Sequence, residues 1–226
     1  MKYFPINLSI SDRKCTVFGG GKVAARKTLG LLECGAIVRV ISPELVTELK
    51  TLVKKRLISW EQREYQPGDL AGSFLVIAAT DNTLVQKEVY REAEENGQLV
   101  NVADVPELCN FILPASVKRN DLSISVSTAG KSPALARKIR QNLESIIGQE
   151  YGVLADILGL LRQEVLKTDR PHEENKVVFA NLLHDDFADW IRESNWIKIE
   201  KHLKNTLGID LGQQLSKDIQ NKLDPA

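Results

Sequence analysis

The sequence predicts an α/β fold: a doubly wound, mostly parallel sheet, followed by a β-hairpin and a helical tail. Three observations carry this. Short apolar runs alternate with amphipathic helical patterns over residues 14–102. A triple-glycine turn, Gly19-Gly20-Gly21, joins the first apolar run to the first helical pattern. Beyond Asp104 the pattern changes to two strand-like runs around Asn120-Asp121, and then to helices alone.

Taken in order, Phe4 to Ile10 alternates weakly and reads as a short entry strand. Asp12-Arg13 turns the chain into a first strand, Lys14 to Phe18. A helix over about Lys22 to Cys34 follows, with Ala24, Thr28, Leu31 and Leu32 on one face and Gly35 as its stop. Ile37 to Ile41 is the second strand. Ser42-Pro43-Glu44 reads as a helix start, with Ser42 as cap, Pro43 at the first helical position and Glu44 at the positive end. Leu45, Leu49 and Leu52 give that helix its apolar stripe. Leu57 to Arg63 is a third strand, and Pro67-Gly68-Asp69 a turn. Phe74 to Thr80 is apolar throughout, as a central strand covered on both faces should be. Asp81-Asn82 opens a helix with Val85, Val89 and Ala93 on one face, and Leu99 to Val102 is the fifth strand.

The hairpin comprises Phe111 to Arg119 and Leu122 to Thr128. Ser132-Pro133 caps a helix that runs to about Ile147. Tyr151 to Leu166 is amphipathic through Leu154, Leu158, Leu161 and Val165. Asp169 to Glu174 reads as a polar linker. The remaining helices place Phe179, Leu182, Leu183, Phe187 and Trp190 on one face, then Trp196, Ile199 and Leu203.

Bulk properties narrow the function classes. Of 226 residues, 43% are hydrophobic and 27% charged, the balance of a globular protein with a real core. Thirty basic and thirty acidic residues cancel, so no global field points to nucleic acid. No basic segment leads into an apolar one, and no apolar run reaches membrane-spanning length, so the expectation is a cytoplasmic protein without membrane contact. Cys15, Cys34 and Cys109 are too dispersed for zinc or a disulfide framework and read as small buried side chains. His172, His184 and His202 all lie late in the chain and read as surface or packing residues, so no metal site is expected.

Gly19, Gly21 and Ala24 fill a G-x-G-x-x-A template. In a dinucleotide site the first glycine makes the turn out of the strand. The second admits the pyrophosphate, and the third small residue lets the helix approach the sheet. Three glycines also suit an ordinary loop; the strand before and the helix and second strand after favour the nucleotide reading. Ligands in doubly wound sheets bind at the carboxyl ends of the strands. The segments that converge there are Gly19 to Ala24, Ile41 to Glu44, Ala79 to Asn82 and Asn101 to Asp104. Asp104 is the carboxylate of the fourth; a loop aspartate turning the chain before Pro106 is an equal reading. Ser42 occupies the place where an acidic residue often binds the ribose, with Glu44 two residues on and Arg39 inside the strand, which favours NAD over NADP. Gly130-Lys131-Ser132 is not a phosphate loop, because Ser125 stands where the leading glycine belongs. Between Phe111 and Arg140, Lys118, Arg119, Lys131, Arg137, Lys138 and Arg140 accompany one acid, Asp121. Such a cluster suits a polyanionic small substrate, although Lys138 and Arg140 read better as a solvated helix face.

Gly19 to Lys27, Asn101 to Ala115 and Ser125 to Arg137, in this order and spacing, resemble the precorrin-2 dehydrogenases of siroheme biosynthesis over roughly residues 1–150. The resemblance implies a Rossmann-like NAD-binding domain over 1–112, a hairpin-and-helix region for dimerisation and substrate over 113–150, and a helical domain over 151–226. It implies oxidation of precorrin-2 to sirohydrochlorin with NAD⁺ as hydride acceptor, in a homodimer, and in some members Fe²⁺ insertion. It assigns Asp104 as the catalytic carboxylate. Cofactor contacts fall on Gly19, Gly20, Gly21, Lys22, Val23, Ala24, Ser42, Pro43, Glu44, Thr80 and Asn101. Substrate contacts fall on Ser127, Thr128, Lys131 and Arg119. A tetrapyrrole polycarboxylate accounts for local basicity on a neutral chain. The chain is expected to lack the methyltransferase domain fused in some relatives. A non-catalytic NAD(H)-sensing domain with a helical output tail is the alternative from another class.

Overall fold

The computed structural model describes residues 3–167, 171–207 and 212–223. The chain forms two compact units, Met1–Leu113 and Pro114–Ala226.

The first unit holds β1 (Lys14–Phe18), α1 (Lys22–Glu33), β2 (Ile37–Ile41), α2 (Thr47–Lys54), β3 (Ile58–Glu61), β4 (Leu75–Ala78), α3 (Thr83–Glu95) and β5 (Leu99–Val102). The five strands are all parallel, in the order β3-β2-β1-β4-β5. The winding reverses between β1 and β4, so the carboxyl ends of those two strands flank the switch point. Strand residues alternate between two apolar layers. Val17, Val40 and Ile77 pack with Ala24, Ala25 and Leu49 of α1 and α2. Phe18, Ile41, Val76 and Val102 pack with Val89 and Ala93 of α3.

Two expectations for this unit fail. Phe4 to Ile10 is not a strand. Both edges of β1 are taken by β2 and β4, which leaves the preceding segment no free edge beside it, and Pro5 lacks an amide donor. Only Ile10 of this segment is buried. α2 also begins later than Ser42-Pro43-Glu44 suggested, with Val46 as its N-cap residue. Ser42 does not cap it; the Ser42 hydroxyl donates to the Glu44 carbonyl at 2.8 Å. The Val46 amide donates to the carbonyl of Gly20 at 2.8 Å, which ties the loop to the glycine turn instead of to a helix. Asn82 does cap α3, accepting from the amides of Leu84 and Val85.

The second unit opens with an antiparallel hairpin, β6 (Ala115–Arg119) and β7 (Leu122–Val126). It starts later than expected because Pro114 cannot donate to a ladder. α4 (Pro133–Ile146), α5 (Glu150–Leu166), α6 (His172–Leu182), α7 (Phe187–Arg192), α8 (Trp196–Leu207) and α9 (Gly212–Leu223) follow. Ile157, Leu161, Leu182, Phe187, Ile199, Leu203 and Ile219 form the core of these helices. Leu183, expected on the same apolar face, is exposed. There the His184 ring accepts the Asp186 amide at 3.1 Å, a local bond that competes with helix continuation. Of the expected linker, Asp169 and Arg170 lie outside the described residues, whereas Glu173 and Glu174 form the acidic first turn of α6. Cys34 is exposed at the end of α1, so the buried reading holds for Cys15 and only partly for Cys109. Among the described residues no helix is long and apolar enough to cross a membrane.

Candidate functional site

The glycine turn sits at the carboxyl end of β1, and each glycine meets a different environment. Gly19 has φ +114°, and a side chain there would lie 2.1 Å from the Ala79 carbonyl oxygen. At Gly20 a side chain would lie 1.8 Å from the Glu44 carbonyl oxygen. The ends of β1, β2 and β4 are therefore drawn together so closely that neither position admits a Cβ. Gly21 is different: nothing of the protein lies within 4 Å of its ideal Cβ, and its φ of −84° is open to any residue. Packing does not demand glycine there. Gly21 is the template position at which a pyrophosphate would sit.

Gly21 is also the N-cap residue of α1 and supplies no capping side chain. The first-turn amides, with the positive end of the helix dipole, remain for an external acceptor. Ala24 is fully buried against the sheet, as the third small residue of the template requires. Lys22 is exposed and Val23 half-buried. These features are a cradle that fits a dinucleotide pyrophosphate.

Around it stand the other convergent segments. Ser42 is buried, its carbonyl accepts from the Trp60 indole at 2.9 Å, and Pro43 and Glu44 are exposed beside it. Thr80 fixes the start of α3: its hydroxyl accepts the Asn82 amide at 3.3 Å and its carbonyl the Gln86 side chain at 2.7 Å. Arg39 is already engaged by Glu61 at 3.1 Å and by the Asp69 carbonyl. Arg63 is held by both Asp69 oxygens at 2.7 Å and by Glu61. Both guanidinium groups near the ends of β2 and β3 are thus neutralised.

Asp104 follows β5, exposed, in the left-handed region at φ 62°. Aspartate tolerates this conformation better than most residues, but the surroundings must hold it there. The loop is closed by side chains. The Cys109 sulfur accepts the Val102 amide at 3.2 Å and donates toward the carbonyls of Val102 and Val105 at 3.3 Å each. Asn101 is 8% exposed and donates to the Phe111 carbonyl at 3.1 Å, so its amide group is used within the loop. Asn110 accepts the Val100 amide at 2.8 Å along the edge of β5. Lys27 of α1 is half-buried, and its amine titrates below the ordinary lysine value. Burial is the largest cause and Arg26 adds to it, while Asp104 and Cys109 pull it back up. Burial in turn raises the Cys109 thiol, with Lys27 acting against it.

Lys27 and Asn110 were not singled out from the sequence, and Cys109 only as a small buried side chain. A signal for Lys27 was present: it lies three residues after Ala24 and one before Thr28, on the buried face of α1. A lysine on an apolar face needs a partner.

In the second unit, Ser127 and Thr128 form the turn before α4. The Ser127 hydroxyl accepts the Ala129 amide at 3.1 Å and the Thr128 hydroxyl the Ser132 amide at 3.0 Å. Ala129 and Gly130 both have positive φ, and the Ser132 hydroxyl accepts the Leu135 amide at 3.2 Å. Lys131 is exposed. Arg119 donates to the carbonyls of Ile147 at 2.8 Å, Lys118 at 2.8 Å and Glu144 at 3.3 Å, and so tethers the end of α4. One face of α4 exposes Leu135, Ile139 and Ile146.

A hollow of about 940 Å³ in the first unit lies at the opposite ends of the strands, by Lys14, Phe74 and Gln98. It contains no residue of the glycine turn or of the loop carrying Asp104. Among the described residues, no group of three or more His, Cys, Asp or Glu side chains is placed to hold a metal.

Residues 6–115 match the family model described as putative NAD(P)-binding, and residues 119–146 match the one described as sirohaem biosynthesis protein central. Siroheme synthase of Photorhabdus laumondii is 36% identical over 92% of this chain and 44% of its own length. That of Nitrosococcus oceani is 38% identical over 84% of this chain and 41% of its own. That of Zymomonas mobilis is 34% identical over 96% and 45%. The chain thus spans less than half the length of these relatives. A solved structure titled SirC, precorrin-2 dehydrogenase, superposes with a TM-score of 0.78 at 24% identity, covering 92% of this chain and all of that one. That likeness shows the fold: a Rossmann-like unit, a hairpin and C-terminal helices.

Proposed function

We propose that this chain, like the part of the siroheme synthases it matches, oxidises precorrin-2 to sirohydrochlorin, with NAD⁺ as the hydride acceptor. The observation that carries this reading is the pairing of an uncapped α1 N-terminus, open at Gly21, with a carboxylate held in strained backbone at Asp104 on the same sheet edge. NAD⁺, when bound, supplies a two-electron acceptor. Gly19 to Ala24 would hold its pyrophosphate, and Ser42, Pro43, Glu44, Thr80 and Asn101 would frame the rest. The engagement of Arg39 and Arg63 leaves neither for a 2′-phosphate, which favours NAD over NADP. Asp104 would take up the proton that leaves the substrate along with the hydride. Ser127, Thr128 and Lys131 would receive substrate carboxylates, while Arg119 would serve by tethering the end of α4.

A homodimer is part of the proposal. The exposed Leu135, Ile139 and Ile146 on one face of α4 support it, since such a stripe favours a partner surface. Insertion of Fe²⁺ as a second step is included, with the same carboxylate accepting the two departing pyrrole protons in turn and passing each to solvent as the metal enters.

The test mixes the protein, NAD⁺ and precorrin-2 and follows NADH. NADH should form with wild type, and Asp104→Ala should bind NAD⁺ unchanged while turnover falls by about 10² or more. NAD⁺ binding without NADH formation from authentic precorrin-2 would overturn the dehydrogenase and favour a sensor. Incubation of sirohydrochlorin with Fe²⁺, against the spontaneous rate, tests the insertion step.

A further inference from the structure

We infer that Trp60 is a positioning residue for the dinucleotide: its indole N–H, acting with the Ser42 hydroxyl, latches the loop 42–46 against the glycine turn, where that loop walls the ribose side of the cradle. This rests on the dinucleotide part of the reading above and on nothing in it about the second substrate.

The loop leaves the end of β2 and is tied to the glycine turn at both ends. The Ile41 carbonyl accepts the Gly19 amide at 3.0 Å, and the Val46 amide donates to the Gly20 carbonyl at 2.8 Å. Between these ties, the Glu44 carbonyl oxygen and the Ser42 hydroxyl lean on Gly20, 1.8 and 2.8 Å from its ideal Cβ position. The next residue, Gly21, is the open one. The loop therefore stands directly beside the space assigned to the pyrophosphate. In doubly wound sheets the residues just after the second strand meet the ribose of a dinucleotide, and here those residues are this loop.

Ser42 spends its polar groups inside the protein. It is buried, its amide donates to the Glu61 carbonyl at 3.2 Å, and its hydroxyl donates to the Glu44 carbonyl at 2.8 Å. Its carbonyl accepts the Trp60 indole N–H at 2.9 Å. Two of these three bonds come from the end of β3. The Trp60 ring packs against the apolar layer that includes α1 and α2, so its N–H is carried by a side chain that is itself fixed. Pro43 and Glu44 remain exposed, and theirs are the side chains the loop presents. Without the indole N–H, the carbonyl of a buried residue would lose that partner, and the loop would relax to find another. Trp60 touches no cofactor atom in this account; it acts through the loop.

The test uses the full chain. Trp60→Phe keeps an aromatic ring in the apolar layer and removes the N–H; Ser42→Ala removes the hydroxyl. In calorimetric titrations each should raise the Kd for NAD⁺ by about threefold to tenfold, the scale of one hydrogen bond. ADP-ribose should lose the same factor, because it carries the same ribose and pyrophosphate. The double variant should lose less than the product of the two factors, because both changes act on one loop. In the NADH assay the KM for NAD⁺ should rise with kcat unchanged. The Trp60 indole resonance of ¹⁵N-labelled protein, assigned by its loss in Trp60→Phe, should shift as NAD⁺ is added and saturate with the calorimetric Kd. A Kd in Trp60→Phe within about twofold of wild type overturns the inference, whether or not the melting temperature falls. An indole resonance unmoved at saturating NAD⁺ overturns it as well. Absence of NAD⁺ binding to wild type overturns the dinucleotide reading itself, whereas binding that the variants leave unaltered overturns the latch alone.

Discussion

Two turns in this molecule look alike on paper. Each carries glycine and lysine and leads into a helix: Gly19-Gly20-Gly21-Lys22 before α1, and Gly130-Lys131-Ser132 before α4. Structurally they are opposites. Before α4, the hydroxyls of Ser127, Thr128 and Ser132 take up three backbone amides, so the turn satisfies itself. Before α1 no side chain caps the helix; a side chain would meet open space at Gly21 and at Gly130 alike, but only Gly130 has the positive φ that itself calls for glycine. The turn before α4 thus keeps few amides free, whereas the first turn of α1 can offer its own to an external acceptor.

The largest effect should come from crowding the first turn. Gly20→Ala sets a methyl group against the Glu44 carbonyl, so it should cost about 1–3 kcal/mol or more. A clear fall in the urea midpoint checks it; a neutral result would show that the loop over Gly20 is looser than its geometry. The second turn should respond more mildly. Ser132→Ala removes a cap and should cost about 1 kcal/mol, with no change in the Kd for NAD⁺. Loss of dinucleotide affinity there would erase the contrast between the turns.

The smallest effects concern acid stability, and they compare the two units. In the first, burial pushes the Asp69 carboxyl up, but Arg63, the Gln66 amide and Arg39 together leave it below its ordinary value. In the second, Glu150 is likewise raised by burial and lowered overall, chiefly by Arg192. A carboxyl depressed in the folded state adds stability above its unfolded pKa, and that contribution is lost as pH falls through the folded value. Both contributions should therefore fade below about pH 4, the ordinary carboxyl range. Urea unfolding followed downward from about pH 6 should show Asp69→Asn with a shallower loss than wild type. An identical slope would mean that Asp69 is not a linked group.

Much of the first unit was legible because its signals are local. The apolar run through Ala78, the Asn82 cap and the Gly19 turn each announce themselves within a few residues. What was not legible depends on partners distant in sequence. Ser42-Pro43-Glu44 has the chemistry of a helix start, yet the Val46 amide is drawn to Gly20 and delays α2. Arg119 reads as a substrate cation, yet it tethers the end of α4 from 25 and 28 residues away. Arg39 meets Glu61 only through the pairing of β2 with β3. The glycine template could be matched by eye, but the division of labour among its three glycines could not. Only the backbone at Ala79 and Glu44, distant in sequence, shows that Gly19 and Gly20 answer to the fold.

The measurement that bears most directly on this division is calorimetric titration of NAD⁺ into Gly21→Ala beside wild type, with the unfolding free energy of each. The added methyl meets no protein atom, so stability should stay within about 1 kcal/mol of wild type, the scale of an N-cap change. The methyl enters the space assigned to the pyrophosphate, so the Kd for NAD⁺ should rise by about tenfold or more, a loss of about 1.4 kcal/mol. Unchanged affinity in a stable Gly21→Ala protein would contradict the account, because the open helix start would then not be where the dinucleotide binds.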